Sequence, residues 1–295
     1  MCYNISIMWQ FLTIDTGGTK TRIVQFETVS HASEAYSAPV LREVEIPTPR
    51  DRDEYIAKVV DSIKQNFPEF CKSPEENVVI LATRGIVRNN VLVTDPLLGW
   101  HNFDIAGELN LLLGGAKVFV QNDALLGTYG AFPPGSINRG LFLTIGTGIG
   151  AGLIIESESS DDIISLEPGH MMLEHDGEIK SWEDSASATA WFEHSGGRSG
   201  HDVSADDSIW RWYAERLAAG IVILLPIFYP DTIMIGGRMA EFFDKYADDL
   251  RRVVAERAWS PVAQVKISAV ADPHYLTNRG ALIFGLKQME KVDEN

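Results

Sequence analysis

Cysteine is nearly absent: the 295 residues contain two, Cys2 and Cys71. That excludes a disulfide framework or a four-thiolate zinc site within one chain, and free thiols in a reducing cytoplasm are expected. Basic residues are scarce as well. Lys and Arg number 25 against 41 Asp and Glu, a formal charge of −16. A surface of that sign repels phosphate backbones and acidic lipids, so neither nucleic acid nor a membrane surface is an expected partner. No Lys or Arg occurs from Met1 to Leu12, so no basic-then-apolar leader is expected. Long apolar runs are also missing. The longest, Ala218 to Tyr229, is broken by Gly220 and Pro226. It falls short of the ~20 residues that cross a bilayer and reads as a buried core helix.

What is present is ordinary globular composition, 45% hydrophobic and 22% charged. The length suits one large domain or two lobes. Strand and helix signals alternate, which predicts an α/β class. Phe11–Asp15, Thr21–Glu27, Leu41–Ile46 and Val78–Leu81 read as strands. Asp51–Phe67 reads as a helix with Tyr55, Ile56, Val59, Val60 and Ile63 on one face. Phe103–Leu113 is predicted helical, stopping at Gly114-Gly115. A strand at Lys117–Val120 leads through Asn122-Asp123 into a helix that ends at Phe132-Pro133-Pro134-Gly135. Leu141–Ile145 and Ala151–Ile155 are strands around a glycine turn, so strand, Gly/Thr turn, strand occurs twice, a weak internal repeat. Ser157–Asp162 reads as a loop and His194–Asp207 as a mobile segment. Helices are predicted at Ile209–Ile227, Met239–Trp259 and Thr277–Met289, and a strand at Thr232–Ile235. The expected division is a first lobe over 1–115, a second over 116–275, and a terminal helix over 276–295 packing back on the first.

Five segments carry candidate chemistry. In Asp15-Thr16-Gly17-Gly18-Thr19-Lys20, paired glycines let backbone N–H groups approach an anion, Thr19 adds a hydroxyl and Lys20 a cation. Asp15 can hold Mg²⁺ through water. Gly146-Thr147-Gly148-Ile149-Gly150 repeats this physics, and a strand rather than a helix follows it, which argues against a dinucleotide fingerprint. Alone, each also fits an ordinary hairpin turn. Two of them, one per lobe, suggest jaws on a polyphosphate. Asp123 at a strand end can accept a hydroxyl proton, with Asn122 orienting a polyol, although both types also serve as helix caps. Glu167-Pro168-Gly169-His170 and Glu183 offer partners for vicinal hydroxyls, or form a plain polar loop. Gly236-Gly237 after the strand permits a flat ring such as adenine to approach the backbone, or simply turns the chain.

The order of these segments, from about Phe11 to Leu286, resembles the ROK family of sugar kinases and repressors. The resemblance implies a two-lobed, actin-like, ribonuclease-H-like ATPase fold with its active site in the interlobe cleft. It implies transfer of a phosphoryl group from ATP, with Mg²⁺, to a hexose hydroxyl, commonly at C6, in a cytoplasmic homodimer. By position, Asp123 becomes the general base, Asn122, Glu167, His170 and Glu183 the sugar-binding residues. Gly17, Gly18, Thr19, Lys20, Gly146, Thr147, Gly148, Gly236 and Gly237 then line the nucleotide, and Asp15 its metal. Glucose is the first expected acceptor; N-acetylmannosamine, N-acetylglucosamine, fructose and allose are alternatives, and polyphosphate is an alternative donor.

Three features depart from the family pattern. Met171–Trp182 lacks the cysteines of the zinc motif many relatives carry, so no zinc site is expected. Arg84-Gly85 stands where relatives often have Pro-Gly. Only 14 residues precede Asp15, so the winged-helix domain of the repressors is not expected. A non-catalytic sugar sensor remains a competing class. So does an ATPase that activates a partner through a shared iron–sulfur cluster, which Cys2 at the N-terminus disfavours.

Overall fold

The computed structural model describes residues 9–132, 136–156 and 161–293. Cys2, the Pro133-Pro134-Gly135 break and positions 157–160 of the expected loop lie outside them. Within this range the chain divides into two compact units. One comprises the described residues up to Phe132 and those from Thr277; the other runs from Ser136 to Leu276.

The first unit is built on β1 (Gln10–Thr16), β2 (Lys20–Phe26), β3 (Val40–Pro47) and β4 (Asn77–Thr83). Every residue of β4 is buried, as a strand covered on both faces requires. Helix α1 (Ala32–Ala35) is a single turn, and α2 (Arg52–Asn66) is capped by Asp51, whose carboxylate accepts from Glu54 N–H at 2.9 Å. Tyr55, Ile56, Val59, Val60 and Ile63 are the face it buries, as their helical spacing predicts. A small antiparallel ribbon follows: β5 (Ile86–Arg88), β6 (Val91–Asp95) and β7 (Trp100–Phe103). Asn89 and Asn90 both take positive φ between β5 and β6, the geometry of a tight two-residue hairpin. Helix α3 (Ile105–Leu112) starts on Asp104 and stops at Gly114 and Gly115, at φ 72° and 96°. Then β8 (Lys117–Asn122) pairs in parallel with β4 and leads into α4 (Asp123–Ala131). The sheet order is β3-β2-β1-β4-β8.

The second unit repeats that order with other residues. Strands β9 (Arg139–Ile145), β10 (Ile149–Glu156) and β11 (Asp161–Leu166) run antiparallel. A hairpin of β12 (Met172–His175) and β13 (Glu178–Ser181) precedes α5 (Trp182–Ala186), α6 (Ala188–His194) and the long α7 (Ser208–Phe228). Strand β14 (Thr232–Gly236) pairs in parallel with β9; α8 (Ala247–Arg257) and β15 (Lys266–Ala269) complete the unit. The order β11-β10-β9-β14-β15 matches the first sheet strand for strand. The repeat visible in the sequence as two glycine hairpins is therefore a repeat of whole five-stranded sheets. Helix α9 (Leu276–Asp293) lies almost wholly in the first unit: Asn278 Nδ2 donates to Thr13 Oγ1 at 3.0 Å and Arg279 donates to the carbonyls of Ala35 and Ala38.

Five expectations change. The division falls after residue 132 rather than near 115, because β8 extends the first sheet. Phe103 ends a strand, and the helix begins after it. Asp161 and Asp162 belong to β11, paired with Glu156 and Ile155. Met239–Trp259 is not one helix: a 3₁₀ stretch over Arg238–Lys245 meets α8 at Tyr246, whose buried ring and hydroxyl bond to the Met239 carbonyl (3.0 Å) turn the chain. The His194–Asp207 segment is pinned as well, by Arg198–Asp207 (3.0 Å) and by Lys245 Nζ on the carbonyls of Gly200 and Val203.

Helix α9 supports α4 through a backbone contact that admits no side chain. A Cβ at Gly280 would lie 1.7 Å from the Leu126 carbonyl oxygen. Gly280→Ala is therefore expected to destabilise the protein by about 2 kcal/mol or more, through overpacking rather than helix propensity. Chemical denaturation measures this; an unchanged midpoint would show that α9 does not pack here.

Candidate active site

Three parallel strands of the first sheet end on one rung. Thr16 of β1 pairs with Thr83 of β4, and Thr83 with Asn122 of β8. One residue before the rung lies Asp15; one residue beyond it lie Arg84 and Asp123. Side chains alternate along a strand, so these positions share a face, and neighbouring strands are ~4.8 Å apart. Two carboxyls and a guanidinium thus collect at the carboxyl ends of the three parallel strands of a mixed sheet, where α/β proteins bind ligands.

Asp123 opens α4. Its carboxylate accepts from Ala124 N–H at 2.8 Å, and the positive end of the helix favours its charge. Burial pushes its carboxyl above the ordinary range; the Arg84 guanidinium and the Ala124 N–H pull it down, and Asp95 pushes it up. Asp15 is pushed up to about 6, by burial first and by the Asp123 charge second, with Arg22 directly opposite on β2 lowering it. Asn122 caps α4: its Oδ1 accepts from Leu125 N–H (3.1 Å) and its Nδ2 donates to the Gly85 carbonyl (2.8 Å). The cap anticipated from its residue type is thus formed, and its amide is already engaged.

The turn after β1 is closed by Gly17 N–H on the Lys20 carbonyl (2.9 Å). Thr16 Oγ1 meets the buried Tyr55 hydroxyl at 2.6 Å, and a Cβ at Gly18 would strike Leu97 at 2.2 Å. Thr19 is exposed at the tip. Lys20 lies on β2 with its ammonium 2.6 Å from Glu45, so an incoming phosphate competes with a carboxylate for that cation.

In the second unit Glu183 is the organising group. Ser181 caps α5, placing Glu183 in its first turn. Its Oε2 accepts from Ile149 N–H at 3.2 Å, and its Oε1 lies 3.4 Å from His170 Nδ1. A Cβ at Gly148 or Gly169 would come within 2.5 and 2.7 Å of that Oε2. Gly169 is also held to glycine by the Ile149 carbonyl oxygen, 2.5 Å from its would-be Cβ, so backbone and carboxylate together tie the Gly146–Gly150 turn to the segment carrying Glu167 and His170. Those two side chains are exposed. Gly146 N–H closes its turn on Gly148 O (3.0 Å), Gly146 O accepts from Ala188 N–H (2.8 Å), and Thr147 lies exposed at the tip. Gly237 has φ 72°, and a Cβ there would lie 2.6 Å from Ile145 backbone atoms; Gly236 faces Phe142.

The family model that matches this chain, over residues 11–283, is that of the ROK family. The chain belongs to the ROK family. A fructokinase from Pediococcus pentosaceus is 26% identical over 238 residues, 76% of this chain and 78% of that protein. Among solved structures, a ROK family glucokinase from Streptomyces griseus, in complex with glucose and AMPPNP, superposes with a TM-score of 0.72 at 18% identity. The match covers 94% of this chain and 99% of that one. A ROK family transcriptional regulator, a homolog of the E. coli MLC protein, reaches a TM-score of 0.73 at 20% identity, covering 97% of this chain and 82% of that one. These likenesses establish the actin-like α/β ATPase fold.

In this ROK chain Asp95 and Arg22 also act on the site, with little or no signal in the sequence. Asp95 is fully buried; its Oδ1 accepts from the N–H groups of Leu97 and Leu98, and its Oδ2 has no partner among the described residues. Asp-Pro is a turn initiator, and that was its one signal. Arg22 had none, because only the pairing of β1 with β2 sets it opposite Asp15.

The raised Asp15 fixes the sign of a pH effect. A carboxyl that binds its proton more tightly when folded stabilises the fold fully below its unfolded pKa near 3.8, and that contribution is lost as pH rises to about 6. In magnesium-free buffer, Asp15→Asn is therefore expected to raise Tm at pH 7, with the gain shrinking towards pH 4. A gain independent of pH would show that Asp15 carries no such penalty.

Proposed function

We propose that this ROK protein transfers the γ-phosphoryl group of ATP to a hydroxyl of a hexose, with glucose at O6 as the first acceptor and Asp123 as general base. The observation that carries the proposal is the placement of Asp123: a carboxylate at a helix N-terminus, raised by burial, beside a second carboxylate. A base of raised pKa takes a proton more readily than an ordinary aspartate. The sugar oxygen attacks the γ-phosphorus, the bond to the β-phosphate oxygen breaks, and the hydroxyl proton passes to Asp123.

Phosphoryl transfer asks mainly for positioning and charge stabilisation. Gly17, Gly18 and Thr19 in one unit and Gly146, Thr147 and Gly148 in the other are suited to phosphate oxygens. Gly236 and Gly237 are suited to the base, and Glu167, His170 and Glu183 to sugar hydroxyls. The residues present fit a magnesium ion: Asp15 and Asp123 repel each other, and a hard cation relieves that repulsion. No cluster of three His, Cys, Asp or Glu occurs among the described residues, consistent with a magnesium that keeps several waters and takes the rest of its ligands from phosphate. Asp15 would hold it through water, and when bound it would neutralise charge on the transferring phosphates.

The regulator's shared fold makes a non-catalytic sugar sensor the second reading; an intact Asp123 favours the kinase. A panel of glucose, fructose, allose, N-acetylglucosamine and N-acetylmannosamine, with ATP or polyphosphate and Mg²⁺, separates them by ADP release and product identity. Asp123→Asn is expected to lower kcat by ~10²-fold or more. No turnover with any hexose would overturn the kinase reading, and unchanged turnover in the variant would remove Asp123 from the reaction.

A further inference from the structure

We propose that Arg84 is a sugar-binding, specificity-determining residue: its guanidinium donates to an oxygen of a neutral hexose other than the oxygen that is phosphorylated. The proposal rests on the sugar-kinase reading and deepens it.

Arg84 stands one residue beyond the rung that aligns Thr83 with Asn122, on the strand beside Asp123. The bend that follows it is locked. Gly85 takes φ 84°, a Cβ there would lie 2.0 Å from the Thr94 carbonyl oxygen, and its own carbonyl accepts from Asn122 Nδ2. The strand end carrying Arg84 is therefore fixed to the turn that carries the base. Its side chain is partly buried, and among the described residues the guanidinium makes no hydrogen bond and no ion pair. The other cations at this sheet end are engaged: Lys20 with Glu45, and Arg22 with Glu43 (2.9 Å) and Glu45. The Arg84 charge is nonetheless the strongest pull downward on the Asp123 carboxyl. Base and guanidinium are close enough to feel each other without closing a salt bridge.

A half-buried guanidinium has five N–H donors in a rigid fork and needs acceptors. Asn122, expected to orient the sugar, has its Oδ1 committed to the helix cap and its Nδ2 bonded to Gly85, whereas the Arg84 guanidinium beside Asp123 offers a whole fork of donors. The local charge decides the acceptor's class. Asp15, Asp95 and Asp123 outnumber Arg84 and Arg22, so a carboxylated or phosphorylated sugar meets net repulsion, whereas a neutral polyol brings lone pairs without charge. A site built to bond a given hydroxyl discriminates strongly against the analogue lacking it, because the buried donor is left without a partner.

The test is a cycle between Arg84→Met and single-deoxy analogues of the hexose that the panel selects, with Arg84→Lys as the conservative variant. For wild type, loss of one particular hydroxyl is expected to lower kcat/KM by about 10- to 100-fold. Arg84→Met should lose a similar factor on the parent sugar, chiefly in the hexose KM, with the KM for ATP unchanged. It should show no further loss on that one deoxy sugar, and Arg84→Lys should recover part of the activity. Calorimetric binding of the same sugars without ATP repeats the cycle independently of catalysis, and melting curves check that the variants fold. If wild type binds hexose but phosphorylates none, the kinase reading falls and the binding cycle still judges Arg84. An Arg84→Met variant with the wild-type hexose affinity, or with the wild-type deoxy-sugar profile, overturns the proposal, as does a wild type that binds no hexose.

Discussion

The first unit depends on the in-register parallel pairing of β1, β4 and β8. Because Thr16, Thr83 and Asn122 share a rung, the residues on either side of it have no freedom to separate. Asp15, Arg84 and Asp123 are brought to one sheet end by backbone hydrogen bonds that have nothing to do with their charges. The sheet is held by buried apolar residues on both faces, β4 above all, and that burial is large enough to impose two carboxyls on each other. The raised proton affinity of Asp15 is the visible cost. Charges forced together at a strand end, against their own preference, are the usual condition of a site arranged for chemistry.

A different constraint governs the second unit, although its sheet has the same strand order. There a single carboxylate, Glu183, occupies the space that side chains at Gly148 and Gly169 would fill, and it binds the backbone of Ile149. Gly148 of the turn and Gly169 of Glu167-Pro168-Gly169-His170 both leave room for that one carboxylate. The cysteine-free segment from Met171 to Trp182 forms a hairpin, turning at Asp176 and Gly177, both at positive φ. Arg216 of α7 binds it through His175 Nδ1 at 3.0 Å and through Asp176, while the Arg216 carbonyl accepts from Trp182 Nε1. The chain between His170 and Glu183 is thus anchored to the longest helix of the unit.

Much of this was legible beforehand. The apolar face of α2, the glycine stop of α3, the two hairpin turns and the Asn122-Asp123 helix start follow from local periodicity and capping chemistry. Those signals act over a few residues and survive in any context. What escaped detection was short or non-local. The ribbon of β5 to β7 is interrupted by polar residues and announced itself through Asn89-Asn90 alone. The lobe boundary falls elsewhere than the sequence suggests because Lys117–Val120 reads as a strand without stating its partner. Tyr246 breaks a helical pattern through a tertiary contact.

The sequence by itself determined the alternation of strands and helices, the repeated glycine turns, the acidic surface and the residue types able to do phosphoryl-transfer chemistry. The ordered series of motifs also pointed to the family. Only the tertiary structure decided which of those residues are neighbours: that Asp15 opposes Arg22 and feels Asp123, that Asn122 is engaged by a cap and by Gly85, and that Arg84 stands beside Asp123 with no hydrogen bond to its guanidinium among the described residues. Residue identity sets what a group can do, but its proton affinity and its available hydrogen bonds depend on desolvation and on charges brought close by strand pairing. Those are sums over the folded chain rather than properties of any segment.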